Sequence, residues 1–154
     1  MKKSTTKLIT GIAVACVFVL AAVMFVLVQY EYQLGLTLRY NGFQMAFGAD
    51  NYDGNFLFFL PFFFAIVAAI CAVLGILKVV KVNGTVMYGI CAGLALISAV
   101  LYIVVYFWVL DKYGRGELFD MSKNVSMMFS FWFGLVLHII ACVASGYAII
   151  VNKK

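Results

Sequence analysis

Four long stretches of this chain carry no Asp, Glu, Lys or Arg: Leu8–Val28, Phe56–Leu77, Thr85–Leu110 and Ser126–Val151. Each is long enough for the ~20 residues that cross a hydrocarbon core. A backbone in lipid must satisfy its own polar groups, so each stretch is predicted to be a helix. Composition agrees, because only 11% of the 154 residues are charged, against about 25% in a soluble domain. So short a chain has too small an interior to hide its 66% of hydrophobic residues from water. The predicted fold is membrane all-α: an antiparallel four-helix transmembrane bundle, one domain over residues 1–154. Helices at about 8–28, 56–77, 85–110 and 126–151 are joined by outer loops 29–55 and 111–125.

Positive charge sets the expected orientation. Lys2, Lys3, Lys7, Lys78, Lys81, Lys153 and Lys154 flank one side of the bundle with no acid among them. The other side holds Arg39, Lys112, Arg115 and Lys123 together with all six acids: Glu31, Asp50, Asp53, Asp111, Glu117 and Asp120. The first side is therefore expected in the cytoplasm, with both termini and the short Lys78–Gly84 connection. This basic tally is an orientation signal and not a nucleic-acid surface. The first stretch is longer than the apolar core of a cleaved signal, and no small-residue cleavage site follows it. Ala13-Val14-Ala15-Cys16 is a faint lipoprotein-like box, but a dozen apolar residues follow Cys16.

Local signals refine the helix ends. Pro61 falls in the first turn of the second helix, where a missing N–H costs least, and Asn55 is placed to cap it. Gly114-Arg115-Gly116 marks a turn in the third loop. The first loop is the informative one. Leu34, Leu36, Leu38 and Tyr40 alternate with smaller or polar residues, Asn41-Gly42 follows, and then Phe43, Met45 and Phe47 alternate with Gln44 and Ala46. Asn-Gly between alternating runs predicts a β-hairpin on a type I′ turn. Its register would pair Tyr40 with Phe43, Leu38 with Met45 and Leu36 with Phe47, all on one apolar face. A lone hairpin is marginal in water, so that face is expected to lie on the bundle, the interface or a partner.

Within the helices the two ends differ. The outer halves hold Phe56, Phe58, Phe59, Phe62, Tyr102, Tyr106, Trp108, Phe131 and Trp132, among other aromatics. The inner halves hold Ala68, Ala72, Gly75, Gly89, Gly93, Ala95, Ala141 and Gly146. Gly89-x-x-x-Gly93 predicts close backbone packing near the cytoplasm. The aromatic end is either an interfacial belt over ordinary packing or an outward-opening apolar pocket.

His138 is the only histidine and lies near the middle of the fourth stretch. Its helical neighbours Gly134, Ala141, Cys142 and Ser145 form a small, weakly polar stripe, so it is expected to face the interior at the depth of Ser98. An ionisable group in a membrane is a functional hypothesis by default. The plainer account is a neutral imidazole bonded to Ser98 or a carbonyl, because no intramembrane carboxylate or second histidine completes a relay. Cys16, Cys71, Cys91 and Cys142 sit one per helix with no Cys-x-x-Cys pairing, so neither a disulfide framework nor a metal site is expected. Asp50 and Asp53, with Asn51 and Asn55, read as a solvated turn ahead of a cation site. There is no phosphate loop, no His-Glu-x-x-His, no Gly-x-Ser-x-Gly and no embedded acid pair, and neither an enzyme nor a cofactor is expected.

The run Asn41-Gly42-Phe43-Gln44-Met45-Ala46-Phe47-Gly48 resembles small uncharacterised four-span bacterial membrane proteins with Gly-Phe-x-x-x-Phe-Gly in the first outer loop. That resemblance covers the loop and the hydropathy layout, and implies a bacterial cell membrane without an activity. By architecture alone the layout is similar to claudin-like proteins, whose Trp and Cys signature is absent here. The expected function is that of an interaction, scaffold or accessory subunit engaging another membrane protein or a second copy, with Arg39, Tyr40, Phe43, Met45 and Phe47 as contact residues. The alternative is a small transporter or channel subunit using His138 and Ser98.

Overall fold

The computed structural model describes residues 3–34, 36–49, 52–77, 83–113 and 125–153. Its elements are α1 (Lys3–Val26), β1 (Val28–Leu34), β2 (Leu36–Asn41), α2 (Gly42–Phe47), a 3-10 turn (Phe56–Phe58), α3 (Phe59–Leu77), α4 (Gly84–Tyr113), β3 (Val125–Met127) and α5 (Phe129–Lys153). Four of these helical segments are long and apolar enough to cross a membrane, as the charge-free stretches predict. α1 packs on α3 and α5, and α4 packs on the same two, so the ring runs α1, α3, α4, α5.

Caps set the helix boundaries. Asn55 accepts from the Leu57 N–H at 3.0 Å, as expected of it, and Pro61 falls in the first turn of α3. Asn83 does the same for α4 through the Thr85 N–H at 3.1 Å. At the end holding both termini, Lys7 Nζ donates to the Asn152 carbonyl at 3.4 Å. The Lys78–Val82 segment and the Gly114-Arg115-Gly116 turn lie outside the described residues.

The core has two layers. Toward the termini it is made of small side chains, with Ala65, Ala68, Ala72, Ala95, Ala141 and Ala148 all fully buried. Toward the sheet it is aromatic, built on Phe25, Tyr30, Phe58, Tyr102 and Phe131. Phe58 lies 5.4 Å from Tyr102 and 5.8 Å from Phe131, ring centre to ring centre. Among the described residues these rings fill the bundle interior at this end. One packing expectation is corrected. A Cβ built at Gly89, Gly93 or Gly146 meets nothing within 4 Å, so these glycines do not join the bundle's own helices. A helix surrounded by lipid is apolar on every side, and small residues alone do not say which side is inside.

The first loop does form a hairpin, but with different strands. β1 pairs antiparallel with β2, Tyr30 opposite Tyr40, Glu31 opposite Arg39 and Tyr32 opposite Leu38. β3 adds to the other edge of β1, Tyr30 opposite Met127, giving the order β2-β1-β3. Asn41-Gly42 is not the turn. Asn41 caps α2: its side chain accepts from the Gln44 N–H and the Gln44 side chain accepts from the Asn41 N–H, each at 3.0 Å. This reciprocal pair satisfies two donors that a helix start otherwise leaves bare. Phe43, Met45 and Phe47 therefore lie on a helix, where Phe43 and Phe47 share a face and Met45 points elsewhere.

Candidate functional site

The glycines at either end of α2 explain its sequence. A Cβ at Gly42 would stand 2.3 Å from the Phe25 carbonyl oxygen, so α2 is pressed onto the end of α1. Gly48 has φ +89° where the helix stops, a conformation that costs glycine little. Between them Phe43 and Phe47 meet α3 from one side: Phe43 lies 5.3 Å from Phe62, and Phe47 lies 5.3 Å from Phe59.

The five proposed contact residues separate into two groups. Tyr40 and Met45 are buried in the protein's own aromatic core and present no surface to a partner. Phe43 and Phe47 are 36% and 60% exposed. Arg39 is exposed and paired with Glu31 across the strands at 2.9 Å. Below the two phenylalanines an apolar groove of about 320 Å³ follows the α1–α3 seam past Phe62, Val26, Ala22 and Ile66. It continues into a second groove of about 250 Å³ that shares Val19, Ala69 and Ile70.

Under the sheet five tyrosines cluster. Tyr40 lies 4.9 Å from Tyr52, Tyr52 stacks on Tyr113 at 4.9 Å, and Tyr30 stacks on Tyr40 and Tyr32 at 5.9 and 6.3 Å. Burial first, then the neighbouring phenols, raises Tyr30 and Tyr52 well above the usual tyrosine range. Neither hydroxyl has a hydrogen-bond partner among the described residues. The Asp53 N–H donates to Tyr113 Oη at 2.8 Å, and the Asp53 carboxylate takes Lys112 at 2.8 Å. Lys112 Nζ also stands 5.3 Å from the centre of the Trp108 ring. Asp53 thus meets a lysine, while Asp50 lies outside the described residues. Among the described residues no three His, Cys, Asp or Glu side chains gather as metal ligands would.

Gln29 is a residue the sequence reading passed over. It forms the bulge between Val28 and Tyr30 of β1, and its side chain is fully buried. Its Nε2 donates to the Met24 carbonyl and, at 3.2 Å, to the Leu27 carbonyl, closing the end of α1. The signal was available: an uncharged amide directly after an apolar run, where the last helical carbonyls need donors.

His138 is buried in the bundle, as its small neighbours suggested, and Ser98 is buried too. They do not bond to each other. Ser98 Oγ donates to the Leu94 carbonyl at 2.8 Å, and His138 Nδ1 bonds to the Gly134 carbonyl at 2.8 Å, each within its own helix. The partner that sequence reasoning missed is Tyr102, whose ring lies 5.4 Å from the imidazole. Its Oη lies 2.6 Å from where a Gly134 Cβ would be. Cys91 is buried and donates to the Ala68 carbonyl at 3.3 Å, whereas Cys16 is exposed, and all four cysteines are free.

No family model, curated protein or solved structure matches the chain.

Proposed function

We propose that this chain is a non-enzymatic, multi-pass membrane protein that acts by binding another membrane protein or a second copy of itself. Its termini lie in the cytoplasm and its sheet lies outside, in keeping with the side that carries seven lysines and no acid. The observation that carries the reading is the aromatic ledge of Phe43, Phe47 and Phe56. These side chains stay exposed beside a sheet whose own tyrosines, Tyr30, Tyr32 and Tyr40, are buried. A large apolar surface rimmed by polar groups suits partner contact, and here the groove along α1 and α3 extends it downward. The contact set is therefore Phe43 and Phe47 with Arg39 at the rim, and no longer includes Tyr40 or Met45. The bacterial setting suggested by the Gly-Phe-x-x-x-Phe-Gly loop belongs to the same proposal.

The test is photocrosslinking in native membranes. A benzophenone amino acid at Phe47 is compared with one at Val143, which is 69% exposed on α5. A discrete larger protein adduct from position 47 alone supports the reading. Equal lipid labelling at both positions, with no protein adduct, overturns it.

The transport alternative has one observation in its favour, the burial of His138 and Ser98 at a similar depth. It lacks a path. Phe58, Tyr102 and Phe131 close one side of that level, and Ala95 and Ala141 close the other.

A further inference from the structure

Two polar atoms in the bundle interior have no hydrogen-bond partner and belong to side chains in ring contact: His138 Nε2 and Tyr102 Oη. His138 is 1% exposed and Tyr102 is fully buried. Leaving such groups unpaired costs roughly 1–3 kcal/mol each, so their appearance as neighbours demands an account.

The chemistry of the surrounding atoms narrows it. A carbonyl oxygen only accepts, so the 2.8 Å contact with the Gly134 carbonyl assigns the ring proton to Nδ1. Nε2 is then a lone-pair acceptor. The Pro61 carbonyl of α3 also lies within reach of the imidazole, and with the proton on Nδ1 the ring has no second hydrogen to give it. Tyr102 supplies an O–H donor on the third side. Pro61 and Phe58 are one turn apart, and Phe58 touches the Tyr102 ring at 5.4 Å, which brings α3, α4 and α5 together at this level.

We infer that His138 Nε2, the Pro61 carbonyl and Tyr102 Oη form a sealed binding site for one water molecule. The water donates one hydrogen to Nε2 and the other to the Pro61 oxygen, and accepts the phenol hydrogen. Three polar partners are what a buried water ordinarily makes. No charged group and no metal ligand set is present at this level among the described residues, so the occupant is neutral. The aromatic layer of Phe58 and Phe131 on one side and fully buried Ala68, Ala95 and Ala141 on the other isolate it. The site is a fixed joint between three helices and not a station on a conduit.

The chain contains a single histidine, so its two ring nitrogens give two unambiguous resonances in ¹⁵N-histidine-labelled protein in lipid nanodiscs. The expected spectrum has Nδ1 protonated, Nε2 unprotonated but shifted as a hydrogen-bond acceptor, and magnetisation reaching Nε2 from water protons. In Tyr102→Phe the tautomer is kept and the water transfer weakens. A proton on Nε2 in the unmodified protein overturns the proposal. So does an Nε2 signal without water transfer, or one whose only proton contact is the Tyr102 phenol. Should Tyr102→Phe not fold, the unmodified protein's spectrum decides alone.

Discussion

Asn41 and Gln44 exchange two hydrogen bonds of 3.0 Å, side chain to backbone in each direction, and so turn the end of β2 into the start of α2. Losing such a cap costs about 1 kcal/mol. Asn41→Ala is expected to lower the thermal midpoint by a few degrees and to speed amide exchange at Gln44. Asn41→Asp keeps the acceptor and should stay near the unmodified protein. Unchanged exchange in Asn41→Ala would dismiss the cap.

Two glycine substitutions should act in opposite senses. Gly42→Ala drives a methyl group to 2.3 Å from the Phe25 carbonyl, a backbone atom that cannot rotate away. Overpacking of this kind costs about 1–3 kcal/mol. Gly93→Ala meets open space on α4, and alanine favours a helix by up to about 1 kcal/mol over glycine. Thermal unfolding of purified protein should therefore fall for Gly42→Ala and hold or rise for Gly93→Ala.

Tyr40 and Met45 are core residues, and Arg39 is a rim residue. Truncating a buried methionine to alanine costs about 2–5 kcal/mol, so Met45→Ala should strongly destabilise the sheet end, with Tyr40→Ala acting in the same sense. Arg39→Ala breaks one exposed ion pair with Glu31, worth under about 1 kcal/mol. Midpoints measured under one detergent condition should separate the first two variants from the third.

The tyrosine cluster makes the sheet end sensitive to alkali. Tyr30 and Tyr52 are held neutral by burial, above the ordinary phenol value of about 10. A raised phenol pKa stabilises the fold fully below pH ~10, and that contribution is lost progressively as pH rises beyond it. Phenolate absorbance in a pH titration should show Tyr30 and Tyr52 among the tyrosines that resist ionisation and titrate only as the sheet end opens. Replacing both by phenylalanine should reduce that late step by two phenolates. Early, independent titration of Tyr30 and Tyr52 would contradict their packing.

The four long apolar helices were legible because lipid excludes charge, so the absence of Asp, Glu, Lys and Arg marks each one directly. The strand partner of β2 was not. Phe43, Met45 and Phe47 are spaced both as one face of a strand and as successive positions on a helix. The choice falls to Asn41 and Gln44, three apart, a spacing that also reads as a capping pair. β1 was hidden too, because Val28 continues the apolar run of α1 and nothing before Gln29 marks its end. The inward face of His138 could be read from Gly134, Ala141 and Ser145. Its neighbour Tyr102 depends on how α4 slides against α5, and no local pattern encodes that. Gly89 and Gly93 misled for the same reason.

β1 leaves the end of α1 and finds its second neighbour in β3, the three residues that lead into α5. Met128 N–H donates to the Gln29 carbonyl at 2.9 Å, and Ser130 Oγ donates to the Val28 carbonyl, tightening the same junction. α1 and α5 are thus latched together beyond the end of the bundle, although the rest of the chain separates them in order of synthesis. While the ribosome is still making α4, one edge of β1 has no mate and the ring of helices stands open between α1 and α4. Arrival of α5 closes the ring and the sheet in one event. A nascent chain truncated before residue 125 should present that edge to chaperones and proteases, and the finished protein should not.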